Sequence, residues 1–204
     1  MKKSVYIYKG FERFWHWSQA FLIMFLAFTG FEIHSSYHFF GFEKAVMYHR
    51  VAAYLLMGLI AFAVFWHFTT GEWRHYIPTL HNLKSQLAFY LKGIFQGGEH
   101  PFQKNIKRKL NPLQIITYLG FKLFLIPITV LSGVYYLFYK NLDGSLFPFL
   151  VDIGIEPIAL LHTMGAFFLL SFLVVHVYMT TTGLRPTSNI RAMITGYEDL
   201  EEEQ

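Results

Sequence analysis

Ten histidines occur in these 204 residues, beside 23 phenylalanines and no cysteine. Five of them, His16, His49, His67, His162 and His176, fall in or at the ends of long apolar stretches. An ionisable residue in such a stretch is costly and marks a functional site by default. Imidazole can bind a metal, relay a proton or change charge near neutral pH. His162 and His176 narrow the choice, because they are 14 residues apart. That is just under four helical turns, so both project to nearly one face, about 21 Å apart along the axis. The separation suits two cofactors stacked across one bilayer, one near each surface. The lack of Cys excludes disulfides, thiolate metal sites, Cys-ligated iron–sulfur clusters and covalently attached haem. Any redox cofactor is therefore held by His or Met without a covalent link.

The elements that must position these side chains follow from composition. Apolar residues make up 54% of the chain and charged ones 15%, against about 25% charged in soluble domains. Four stretches, near residues 11–33, 46–69, 113–139 and 158–181, reach the roughly 20 helical residues that span a bilayer core. Pro127 predicts a kink in the third. The expectation is an all-α membrane protein, a four-transmembrane-helix bundle forming a single domain over residues 1–204.

Lys and Arg set the orientation. One side would carry Lys2, Lys3, Lys9, Arg13, Arg74, Lys84, Lys92, Lys104, Lys107, Arg108, Lys109, Arg185 and Arg191. The other would carry only Lys44, Arg50 and Lys140, beside Glu32, Glu43, Asp143, Asp152 and Glu156. By the positive-inside rule both termini are cytoplasmic, in a bacterial-type cytoplasmic (inner) membrane. The net charge of +4 then reflects topology, not nucleic acid. Trp15, Trp17, Trp66 and Trp73 fall at the inner ends as an aromatic belt. Leu80, Leu83, Leu87, Leu91 and Ile94 recur at helical spacing around Lys84 and Lys92, which predicts a short amphipathic helix in the inner loop, ended by Gly97 and Gly98. The acidic tail, residues 198–203, reads as a solvated end. The first apolar stretch is too long for the h-region of a cleavable signal peptide.

Alternating helix direction assigns depths. The first helix runs outward, so His16 lies near the inner surface, level with His176. The second runs inward, so His49 lies near the outer surface, level with His162. Each pair can hold one b-type haem, with both axial positions filled by imidazole, which suits electron transfer and not oxygen chemistry. His67, 18 residues after His49 and in phase with it, is the alternative inner ligand to His16. Ala52 and Ala53 after His49, Gly165 and Ala166 after His162, and Gly30 in phase with His16 leave room for a flat macrocycle. Arg50 would serve the propionates of the outer haem, and Arg13 or Arg74 those of the inner one. Lys122 either snorkels inward or faces the bundle. His34, His38, His75, His81 and His100 read as loop or surface residues. Two rival readings of the same histidines are a small membrane transporter with a His-lined proton or metal path, and a cofactor-free membrane anchor.

Longer motifs agree with the haem reading. The last apolar stretch reads LHTMGAFFLLSFLVVHVYM, the first opens with FERFWHW and closes with Thr29-Gly30, and the second opens with YHRVAA. The third follows GGEHPF and KLNPLQ and closes with LSGV. In this order, over nearly the whole chain, the sequence resembles the dihaem cytochrome b subunits of formate dehydrogenases, nickel–iron hydrogenases and thiosulfate reductases. The resemblance implies two haem b groups, one on His16 and His176 and one on His49 and His162. It implies a menaquinone or ubiquinone site near the inner haem, where Asn111 and Gln114 match polar residues of the family's pocket. Read from the residues alone, Asn111-Pro112 is a helix start with Asn as cap. The resemblance further implies an iron–sulfur or other redox protein and a catalytic subunit at the outer face. The chain itself shows no catalytic constellation. Electrons would pass between that partner and quinone through the two haems, the chain acting as the membrane subunit of a respiratory oxidoreductase complex.

Overall fold

The computed structural model describes residues 2–79, 83–96, 109–139, 153–183 and 185–201. Of the residues singled out above, Leu80, His81, Gly97, Gly98, His100, Lys104, Lys107, Arg108, Lys140, Asp143, Asp152, Glu202 and Glu203 lie outside them. Strand β1 (Lys2–Tyr6) leads into helix α1 (Gly10–Ile33) and helix α2 (Phe42–Thr70). A 3₁₀ turn (Glu72–Tyr76), helix α3 (Leu83–Leu91) and a second 3₁₀ turn (Gly93–Gln96) follow. Helix α4 (Pro112–Gly120) passes through a π turn (Phe121–Leu125) into helix α5 (Ile126–Phe138). Helix α6 (Glu156–Thr180), helix α7 (Ser188–Thr195) and strand β2 (Tyr197–Glu201) complete the described chain.

The stretches expected from apolar length are present with ends shifted by a few residues, most at α2, which starts at Phe42 and not near residue 46. Three of them, Phe42–Thr70, Pro112–Phe138 and Glu156–Thr180, are long and apolar enough to cross a membrane. The fourth, α1, has 24 residues but is less apolar, because Glu12, Arg13, His16, Ser18 and Gln19 crowd its first half. The π turn ends two residues before Pro127. Proline removes an N–H and clashes with the carbonyl four residues back, and the ladder is re-registered just upstream.

The chain forms two compact units, one of residues 1–115 with 178–204 and one of residues 116–177. In the first, α1 and α2 pack as an antiparallel pair. Phe11 meets Phe62 and Trp66 at one end, with ring centroids 5.2 and 4.8 Å apart. At the other end Thr29 and Gly30 meet His49. The turn between the helices closes on Glu32, which is buried. Its Oε1 accepts from the backbone N–H groups of Phe39, Phe40 and Gly41 at 2.7, 2.6 and 2.8 Å. Three donors on Oε1 offset the cost of burying the carboxylate, while Oε2 is buried without a hydrogen bond.

The opposite end of this unit is closed by pairing that the sequence reading missed. The acidic tail is not a free solvated end. Strand β2 runs antiparallel to β1, with Lys2 opposite Glu201 and Tyr6 opposite Tyr197, so a two-stranded ribbon joins the two ends of the described chain. Helix α7 docks on α1 through Arg13 Nη1, which donates to the Ile194 carbonyl at 2.6 Å, and Trp17 Nε1, which donates to the Met193 carbonyl at 2.9 Å. Glu72, at the end of α2, gathers Lys9 Nζ at 2.6 Å, Lys109 Nζ at 2.9 Å and His75 Nε2 at 3.3 Å. Lys109 also reaches Glu12 at 2.9 Å. Burial would raise the Glu72 carboxyl, but hydrogen bonds from Lys9 and Lys109 outweigh it and hold it below its ordinary value. The same bond raises Lys9. In α3 the polar Gln86 is buried while Leu87 and Leu91 are exposed, so the helix turns its leucines outward, as an interfacial helix would.

In the second unit small residues set the packing. A Cβ at Gly165 would overlap the Thr129 hydroxyl, and one at Gly133 would lie 2.9 Å from His162 Cε1. Helices α5 and α6 therefore approach closely through glycine, as membrane helices do. The macrocycle space expected at Gly165 is occupied by Thr129 instead. Phe172 of α6 packs on Phe121 of the π turn, with centroids 4.5 Å apart.

Candidate functional site

Each unit holds histidines in a defined orientation. In the first, His49 Nδ1 lies 2.9 Å from Thr29 Oγ1. Thr29 is fully buried, and its hydroxyl sits 3.0 Å from the Phe25 carbonyl and 3.1 Å from the Leu26 carbonyl. The hydroxyl has one proton; placed on either carbonyl of its own helix, it leaves the oxygen to accept from His49 Nδ1–H. In the second unit, His162 Nδ1 lies 2.9 Å from the Thr129 carbonyl, which can only accept. Ser132 Oγ is 3.3 Å away. His162 therefore donates through Nδ1–H. A histidine that donates through one ring nitrogen and presents the other is the arrangement that metal-ligating imidazole takes.

Local sequence explains both. Thr29 back-bonds to its own helix and aims its oxygen at the neighbouring helix, and Gly30 beside it leaves the ring room, its notional Cβ 3.6 Å from His49 Cε1. On α5, LSGV supplies Ser132 and Gly133, and only glycine lets the His162 ring lie so close. Helix packing gives this motif a physical role as the seat of His162.

The other histidines differ. His67 Nδ1 bonds the Ala63 carbonyl at 2.7 Å, and its ring is crowded by Trp15, Trp66 and Tyr76, with centroids 5.2, 5.2 and 5.6 Å away. His16 is half-buried on α1, edge-on to Trp17 at 5.1 Å. His176 is half-buried on α6, stacked on Phe172 at 5.6 Å and 6.4 Å from Tyr118. Among the described residues no group of three or more His, Asp and Glu converges to hold a bare metal ion.

Asn111 and Gln114 form a reciprocal helix cap. Gln114 N–H donates to Asn111 Oδ1 at 2.8 Å, and Asn111 N–H donates to Gln114 Oε1 at 3.0 Å. Asn111 Nδ2 also donates to the Tyr90 hydroxyl at 3.0 Å. Arg13 spends Nη1 on α7, Arg74 lies over the Trp73 ring at 5.9 Å, and Arg50 is exposed near the start of α2. Lys122 falls in the π turn.

The donor set fits haem. His49 and His162, on separate helices, each have Nδ1 held against an oxygen, as a metal-ligating imidazole does, and the sequence holds no thiol for covalent attachment. Comparison with known proteins agrees. Residues 7–196 match the model of the prokaryotic cytochrome b561 family. A putative cytochrome named YdhU from Escherichia coli K12 is 32% identical over 201 residues, covering 96% of this chain and 75% of the relative. A probable Ni/Fe-hydrogenase B-type cytochrome subunit from Rhizobium leguminosarum bv. viciae is 27% identical over 224 residues, covering 96% of this chain and 89% of the relative. No solved structure matches. The chain belongs to the prokaryotic cytochrome b561 family. It is thus a membrane protein of electron transport that works through b-type haem.

Proposed function

We propose that this chain carries electrons across a bacterial-type cytoplasmic membrane between a redox partner at the outer face and membrane quinone at the inner face, using two b-type haems. The orientation of His49 and His162, each with Nδ1 held against an oxygen as in a metal-ligating imidazole, is the observation that carries the reading. These two residues would hold the outer haem, and His16 and His176 the inner one. The aromatic crowding of His67 favours His16 for the inner role. Held by two imidazoles, a haem would supply one-electron transfer and not oxygen chemistry.

The chain's own residues do the rest. Thr29 and the Thr129 carbonyl fix ring orientation, and Gly133 admits the His162 ring. Asn111 and Gln114, tied to each other and to Tyr90, border the quinone pocket in this reading and keep its backbone in place. Arg50 and Arg13 are the propionate partners, with Arg13 Nη1 shared with α7. The name of the Rhizobium relative supports a catalytic partner complex, with an iron–sulfur or other redox subunit at the outer face. Ribbon pairing of β1 with β2 holds both termini on one side. This pairing supports an even number of crossings, with α1 as the fourth span beside the three candidate spans. The Lys and Arg bias makes that side cytoplasmic.

A pyridine haemochrome assay on purified protein tests the haem count, with two haems per chain expected. His49→Ala and His162→Ala should each remove the same haem, and His16→Ala and His176→Ala the other; His67→Ala should remove neither. One haem or none in the wild type sinks the scheme. Because the chain has no Cys, single cysteines at Ser4 and Ser36 report topology with an impermeant thiol reagent. In intact cells stripped of their outer membrane, only the cysteine at 36 should label.

A further inference from the structure

We propose that Thr29 is a positioning residue that lowers the reduction potential of the outer haem through its bond to His49. The inference rests on the haem assignment above and goes beyond it. The Thr29 hydroxyl is fully buried in an apolar helix, where a polar group needs a partner. Its proton is used on the Phe25 or Leu26 carbonyl of its own helix, so it faces His49 as an acceptor at 2.9 Å. Accepting Nδ1–H shifts electron density onto the ring, which makes Nε2 a stronger donor and favours the oxidised iron. The relay runs from main-chain carbonyl to hydroxyl to imidazole, and low surrounding polarity strengthens each bond in it.

His162 is arranged differently, and the difference makes Thr29 the tunable half of the pair. There the acceptor is the Thr129 main-chain carbonyl at 2.9 Å, which no side-chain substitution removes. At His49 the acceptor is a side chain, so a single substitution reaches it. Val is close to Thr in shape and lacks only the hydroxyl.

The test is a potentiometric titration of the visible haem band in the full chain, comparing wild type with Thr29→Val, Thr29→Ala and Thr29→Ser. Haem content is measured on each sample. Ser171→Ala serves as control, since Ser171 back-bonds to the Phe167 carbonyl at 2.9 Å in an exposed position. Thr29→Val and Thr29→Ala should keep two haems and shift the midpoint of one upward, with its low-spin resonance line displaced. Thr29→Ser should stay at the wild-type value, as should Ser171→Ala. Two haems with both midpoints unmoved in the Val variant overturn the proposal while leaving the haem assignment intact. Loss of that haem from both Val and Ala, with Ser retaining it, makes the hydroxyl a requirement for binding and not a tuning group, and also overturns it. A wild-type chain without haem would instead sink the underlying assignment.

Discussion

The α1–α2 pair and the α5–α6 pair each seat one histidine, by opposite means. At α1–α2 the histidine reaches a side-chain hydroxyl, and the neighbouring Gly30 leaves slack of ordinary van der Waals size. At α5–α6 the histidine reaches a main-chain carbonyl through a gap that only glycine permits. The first seat is set by chemistry at one position and the second by steric fit. A seat built on a hydroxyl should respond to substitution with altered electronics. A seat built on a glycine contact should respond with loss of geometry, because overpacking forces the ring or the helix to move.

Gly133→Val should therefore produce the largest effect. It should remove about half of the haem absorbance in a pyridine haemochrome assay, because the added side chain meets His162 at a notional Cβ distance of 2.9 Å. Retention of full haem content would break the contrast between the two seats. Gly165→Val, which drives a side chain into Thr129, should cost roughly 1–3 kcal/mol of stability in detergent unfolding as overpacking does, and should lower haem retention on heating.

The two units also differ in what ties them together. Unit one uses charge: Glu72→Gln removes the carboxylate shared by Lys9 and Lys109 and leaves the buried Lys109 to Glu12 alone, and should cost about 2 kcal/mol, as losing a charge-assisted hydrogen bond does. Its pH signature has two limbs. Glu72 is lowered in the folded state, so its contribution is present above its ordinary value and is lost as pH falls through the folded one. Lys9 is raised, so its contribution is present below its ordinary value and is lost as pH rises through the folded one. Unfolding temperature should form a plateau between these limits, and Glu72→Gln should flatten the acid limb. An unchanged acid limb would remove the carboxylate from the account. The smallest effect belongs to Trp17→Phe, which deletes one hydrogen bond to α7. It should cost about 1 kcal/mol and speed proteolysis at the C-terminal ribbon without altering either haem.

The sequence by itself determined the solvent and the chemistry. Apolar runs near 20 residues can satisfy their backbone polar groups in lipid only as helices, so the long helices were legible, with ends displaced by a few residues at α2. His spaced for two depths, with no Cys anywhere, pointed to non-covalent haem ahead of a His-lined path or a bare anchor. The LSGV motif and Thr29-Gly30 were visible, but not their purpose. Tertiary structure decided that purpose, because hydrogen bonds between α1 and α2, and between α5 and α6, join residues 20 to 33 positions apart. It also decided the pairing of β1 with β2, since two short polar ends carry no periodic signal until they lie side by side. Nothing in the sequence around Glu72 marks it out. Only the fold brings Lys9, His75 and Lys109 to it, and burial makes that meeting necessary: a carboxylate removed from water is stable only where cations or donors replace the water it has lost.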